Sequence, residues 1–64
     1  MILRQGEYYR PTRKQLDYAS AIAREIRERH PDHPSASSLA KNYEINDLLA
    51  ARDALRRGEQ VTIA

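Results

Sequence analysis

The sequence predicts a mostly α, compact three-helix domain with extended ends. Three observations carry this reading. Apolar residues recur at helical spacing in two separate stretches, from Leu16 to Ile26 and from Ile45 to Leu55. Pro11-Thr12, the run His30-Pro31-Asp32-His33-Pro34 and Gly58 punctuate the chain at the borders of those stretches. The chain has 64 residues and no cysteine, so 1–64 is one small domain without disulfide staples.

The first nine residues have no helical period: Met1-Ile2-Leu3 is a short apolar start, Gly6 interrupts it, and Tyr8-Tyr9 favour extended backbone. Pro11 then pushes Arg10 toward extended geometry. Thr12 is a good N-cap, because its hydroxyl can accept from an unpaired amide of the first turn. Gln15 stands three residues later, where its side chain can reach back to the cap. Helix 1 therefore starts at about Arg13. Leu16, Ala19, Ile22, Ala23 and Ile26 line an arc of about 120°, a normal width for a core-facing stripe. Arg24–Glu28 and Glu25–Arg29 are spaced for pairing within the helix, worth about 0.2–0.5 kcal/mol each. The helix ends near His30, before Pro31, with Arg27, Arg29 and His30 suited to its negative end.

After the proline-rich loop, Ser35 or Ser37 can cap a short second helix at about 38–42. It does not run on as one long helix. Leu39 and Tyr43 fall on a face well over 90° from that of Leu48 and Leu55, at about 100° per residue. Asn42 and Asn46 are suited to a break. A third helix is expected at about 47–57, with Gly58 just past its end. Val61-Thr62-Ile63 have strand preference. They can pair with Ile2-Leu3 as a short two-stranded element, or lie as an extended tail packed on the helices, the arrangement preferred here. The expected core is Leu16, Ala19, Ile22, Ala23, Ile26, Leu39, Ile45, Leu48, Leu49 and Leu55, with a tyrosine or two. So small a core is barely self-sufficient, and self-association or docking on a larger partner would cover the remaining apolar surface.

The formal charge of +2 is unevenly spread. Residues 1–30 hold seven cations against four acids, and residues 31–64 hold four against five. The basic character lies in the N-terminal half. No apolar run approaches the roughly 20 residues that span a bilayer, and the first residues lack the apolar core of a signal peptide. The expectation is a soluble, cytoplasmic protein with no membrane partner.

Catalytic patterns are missing from the sequence. Ser20, Ser35, Ser37 and Ser38 have no neighbouring base in a recognisable arrangement, and there is no Gly-rich phosphate loop. His30, Asp32 and His33 could in principle hold a metal. However, His30 closes a helix and His33 precedes a proline, so the two imidazoles do not share a helical face, and no second ligand cluster stands elsewhere. The expectation is a non-enzymatic protein with no cofactor and no metal.

Two groups of residues suit binding. Tyr8, Tyr9, Arg10, Arg13, Lys14 and Tyr18 gather around the start of helix 1. There the helix end favours anions, the cations can meet phosphate, and tyrosine can stack on a base or fill a protein interface. The competing reading packs Tyr18 at the core border and one of Tyr8 and Tyr9 over the first turn, leaving the cations solvated. On helix 3, Arg52 lies between Ile45, Leu48, Leu49 and Leu55. Either it snorkels from the edge of a narrow core, or part of that face is a partner surface with Arg52 and Arg56 as charged contacts.

The stretch from Pro11 to Glu25, 15 of the 64 residues, reads Pro-Thr-Arg-Lys-Gln-Leu-Asp-Tyr-Ala-Ser-Ala-Ile-Ala-Arg-Glu. It resembles a short helical module with the pattern Thr-x-x-Gln-x-x-Tyr-Ala-x-x-Ile-Ala, carried here by Thr12, Gln15, Tyr18, Ala19, Ile22 and Ala23, with Lys14 and Leu16 also matching. Such segments occur in small bacterial and phage proteins of unknown function and in terminal extensions of DNA-processing proteins such as topoisomerases. The resemblance implies a prokaryotic or phage setting near nucleic-acid metabolism, and no catalytic residues.

The functional expectation is a small binding module that docks stoichiometrically, by the Tyr/Arg/Lys edge together with Arg52 and Arg56. Its partner would be nucleic acid or a nucleic-acid-binding protein complex. The alternative is a stand-alone phage inhibitor of a host defence complex, anti-CRISPR-like, acting by protein binding. A homodimer joined through helix 3 is a third possibility.

Overall fold

The computed structural model describes residues 1–6 and 9–64. Its first helix begins where the capping signal places it. The Gln15 amide donates to the Thr12 hydroxyl at 3.2 Å, and the Gln15 side-chain oxygen accepts from the Thr12 amide at 2.8 Å. This reciprocal pair satisfies two donors that the first turn leaves open. Helix α1 then runs Arg13–Arg29 and is closed by His30, whose amide donates to the carbonyls of Ile26 and Arg27.

Pro31 ends the helix as expected and starts a turn, in which the His33 amide donates to the His30 carbonyl at 3.2 Å. Ser35 is the cap that the second helix uses, its hydroxyl accepting from the Ser38 amide. Helix α2 therefore spans Ala36–Asn42, two residues longer at its start than expected. The break falls at Tyr43 and Glu44, and helix α3 spans Ile45–Arg56. It also starts two residues early, because the Glu44 carbonyl already accepts from the Leu48 amide while the Glu44 side chain makes no cap. Asn46 thus sits inside the first turn instead of ending it.

The end of α3 needs a glycine. Gly58 has φ of +79°, and its amide donates to the Leu55 carbonyl while the Glu59 amide donates to the Ala54 carbonyl. Those two bonds close the helix in the left-handed turn that costs an L side chain most.

The ends do pair. Strands β1 (Ile2–Leu3) and β2 (Thr62–Ile63) are parallel, with Ile2 opposite Thr62 and Leu3 opposite Ile63. They also pack: Leu3, Val61 and Ile63 are buried, and β1 lies against α3. This corrects the unpaired tail preferred from sequence, although the end does also pack on the helices as that reading had it. The result is a compact, mostly helical domain with three helices and a short two-stranded parallel sheet made by its ends.

One cluster of buried side chains holds these elements. Ala19, Ile22, Ala23, Ile26, Leu39 and Leu48 belong to it as expected, joined by Leu3, Ala40, Tyr43, Ala51, Ala54, Val61 and Ile63. Ile45, Leu49 and Leu55 pack against its edge and are only partly buried. Leu16, in the first turn of α1, is only half-buried. Among the described residues, no helix is long and apolar enough to cross a membrane.

Candidate functional site

Helices α1 and α3 run in the same sense. Gln15, near the start of α1, shares a groove with Glu44, Ile45 and Asn46 at the start of α3. Near its other end, Arg56 of α3 bonds Glu25, ten residues further along α1. The positive ends of two helices therefore lie together. The basic N-terminal segment arrives at this same end: the Gly6 amide donates to the Asn42 carbonyl at 3.0 Å, at the close of α2.

Arg10, Arg13 and Lys14 are all exposed here. None of the three has an ion-pair partner among the described residues. Tyr18 follows Lys14 by one helical turn and is 55% exposed, so it stands on the same flank of α1 as the lysine. It is no core border residue. Tyr9 behaves differently. It is half-buried in the groove with Gln15, Glu44, Ile45 and Asn46, a space of about 240 Å³. Its hydroxyl is buried without a hydrogen-bond partner among the described residues. Tyr9 thus lines the groove between the starts of two helices. Tyr8 lies outside the described residues.

The second group of predicted binding residues lies elsewhere and is already engaged. Arg56 forms a two-pronged bond with Glu25, from Nε and Nη2, each at 2.8 Å. Arg52 bonds its neighbour Asp53 at 3.2 Å, with 22% of its side chain exposed, which matches an arginine snorkelling from the core edge. From Arg13 to Glu25 the rise along α1 is about 18 Å, at about 1.5 Å per residue. The structure therefore does not join Arg52 and Arg56 to the edge at Arg10, Arg13 and Lys14. Glu25 also turns to Arg56 instead of forming the in-helix pair expected with Arg29.

At the opposite end, His30 and His33 meet edge to face, with ring centroids 5.5 Å apart. Burial, and next the charge of His33, hold His30 below the ordinary histidine value. Its Nε2 is buried without a partner among the described residues. His30 also borders an open groove of about 390 Å³ with Arg29, Leu55 and Gln60. Among the described residues, no group of three or more His, Asp or Glu side chains could hold a metal ion.

Three features escaped the sequence reading. Nη1 of Arg27 donates to the carbonyls of His30, Pro31 and His33, binding the loop that follows its own helix. The Tyr43 hydroxyl donates to the Ala64 carbonyl at 2.8 Å, fastening the last residues to the core. Glu25 reaches across to Arg56. The only signal for Arg27 was its place before a Pro-containing turn, where the His30 carbonyl also accepts from the His33 amide and Arg27 adds the bonds to Pro31 and His33. Comparisons with protein-family models, with curated protein sequences and with solved structures gave no match to this chain.

Proposed function

We propose that this chain is a non-enzymatic binding module that docks on nucleic acid through Arg10, Arg13, Lys14 and Tyr18 at the start of α1. One observation carries the reading: three exposed cations within five residues have no ion-pair partner among the described residues, at the end where two helices present their positive poles. Arg52, Arg56 and Arg57, by contrast, are each bonded to a carboxylate. Unpaired cations at a helix start are the groups that neutralise phosphate.

The test is a fluorescence-anisotropy titration of labelled DNA and RNA oligonucleotides at low and moderate salt, with the Arg10→Ala/Arg13→Ala/Lys14→Ala variant beside the parent. The expected result is salt-sensitive binding that the triple variant loses. Absence of binding even at low salt would overturn the reading. It would leave the alternative of a stoichiometric inhibitor of a defence complex, to be pursued by pull-down of a protein target.

A further inference from the structure

We infer that the nucleic acid taken by this edge is single-stranded, with Tyr18 as the platform on which one base stacks. This rests on the nucleic-acid reading above and adds the class of ligand. The first ground is the size of the positive patch. Along the outer face of α1 the charges alternate as Arg13, Asp17, Arg24, Glu28, and all four side chains are exposed. A duplex laid along that helix would bring its dense row of phosphates against Asp17 and Glu28 as often as against a cation. Duplex DNA carries a charge about every 1.7 Å of axis, so it cannot avoid the acids. Across the groove from Gln15 stands Glu44, which bounds the patch on the α3 side. What remains at the start of α1 is Arg10, Arg13 and Lys14, with Arg4 and Lys41 exposed on the two segments that meet at Asn42. A flexible strand can cross this patch at one point and bend away from the acids on either side.

The second ground is Tyr18. It is the most exposed aromatic ring among the described residues, at 55%, while Tyr43 is 4% exposed and Tyr9 is half-buried in its groove. A ring left open to water one turn from Lys14 offers its face beside a phosphate contact. Stacking needs an unpaired base, and in a duplex the base faces are already covered. Base–aromatic stacking tolerates any sequence, because every base has a π-face.

The experiment compares a single-stranded DNA, a single-stranded RNA and a DNA duplex of equal length by anisotropy. It includes Tyr18→Ala and Tyr18→Phe, with circular dichroism to check that both are folded. Tight single-strand binding with at least tenfold weaker duplex binding is expected. Tyr18→Ala should weaken single-strand binding roughly tenfold, and Tyr18→Phe should keep it. For three phosphate contacts the single-strand affinity should fall with salt at a log–log slope near −2, at about 0.7 per phosphate. Equal or tighter duplex binding, or no effect of Tyr18→Ala, would overturn this inference and leave the basic edge standing. Failure of all three oligonucleotides to bind would overturn the nucleic-acid reading itself. The relative strength of the DNA and RNA strands says which of the two the edge prefers.

Discussion

Arg56 on α3 holds Glu25 on α1 with two parallel bonds, Nε and Nη2 to the two carboxylate oxygens, each at 2.8 Å. Two-pronged geometry makes this the best-formed charge pair among the described residues. It links α3 to α1 in the half of the bundle remote from the basic edge.

The Glu25 carboxyl lies below its ordinary value of 4.5, first because Arg56 donates to it, with the charges of Arg56, Arg52 and Arg29 adding and burial opposing. A carboxyl whose folded value is depressed adds stability that is present above 4.5 and is lost as pH falls through the lower folded value. Glu25→Gln should therefore lower the melting temperature slightly at pH 7, by a difference that shrinks as pH falls below 4.5. Both partners are solvent-facing, so the difference should shrink in 1 M salt. Arg56→Ala should leave oligonucleotide binding intact, since the α1 edge lies far along the bundle. Thermal melts and the anisotropy titration check the two halves of this expectation.

His30 adds a second loss of stability on the acid side, beginning at a higher pH. Burial, then the neighbouring charge of His33, lowers its folded value below 6.5. Above 6.5 both folded and unfolded chains carry it neutral, and it contributes no pH dependence. As pH falls below 6.5 the unfolded chain takes the proton first, so stability declines until the folded value is reached. Melts between pH 7.5 and 5 should show this decline. His30→Gln should flatten it while barely changing stability at pH 7.5. A parent protein with no slope in that window would mean that His30 keeps its proton affinity on folding.

Leu3 is wholly buried, while Leu16 is half-buried. Leu3→Ala should cost about 2–4 kcal/mol, as full-sized core truncations do. Leu16→Ala should cost about 1 kcal/mol, since much of the side chain is in water already. A domain of this size has only about 3–10 kcal/mol in total, so the first change brings it near unfolding at 37 °C. Urea denaturation of the two variants checks the order. Equal costs would show that the strand pair adds nothing to the core.

That contrast shows which parts of the fold were legible in the sequence. Thr12 with Gln15, Pro31, Ser35 and Gly58 act on backbone within a few residues, so their roles follow from spacing alone. Leu3 depends on Ile63, 60 positions away. No local pattern fixes such a pairing, and two-residue strands carry too little alternation to announce it. Ala40, Ala51 and Ala54 were missed for another reason. They contribute little hydrophobicity themselves, yet their small size allows helices and strands to approach closely. In the candidate site, the exposure of Arg10, Arg13 and Lys14 was readable from residue type next to a helix start. The engagement of Arg56 was not legible, because its partner Glu25 stands 31 residues earlier.

Arg27 makes the last prediction. Its Nη1 lies 2.9 Å from the His30 carbonyl oxygen and 2.6 Å from that of His33, and it also reaches the Pro31 carbonyl. One Nη1 carries two hydrogens, so the three acceptors share them. The carbonyls belong to a turn that Pro31 stiffens, and the cation also sits at the negative end of α1, where it is favoured. Water can replace part of this bonding in Arg27→Ala, so the expected cost is about 1 kcal/mol, within the range for one ordinary net hydrogen bond. The local effect should be larger than the global one. The amides of residues 32–36 should exchange hydrogen faster, and limited proteolysis should begin between His30 and Ser35. Arg27→Lys supplies three donors on a single nitrogen and keeps the charge, so it should retain part of the protection. Unchanged exchange in Arg27→Ala would mean that the two prolines hold the turn without the guanidinium.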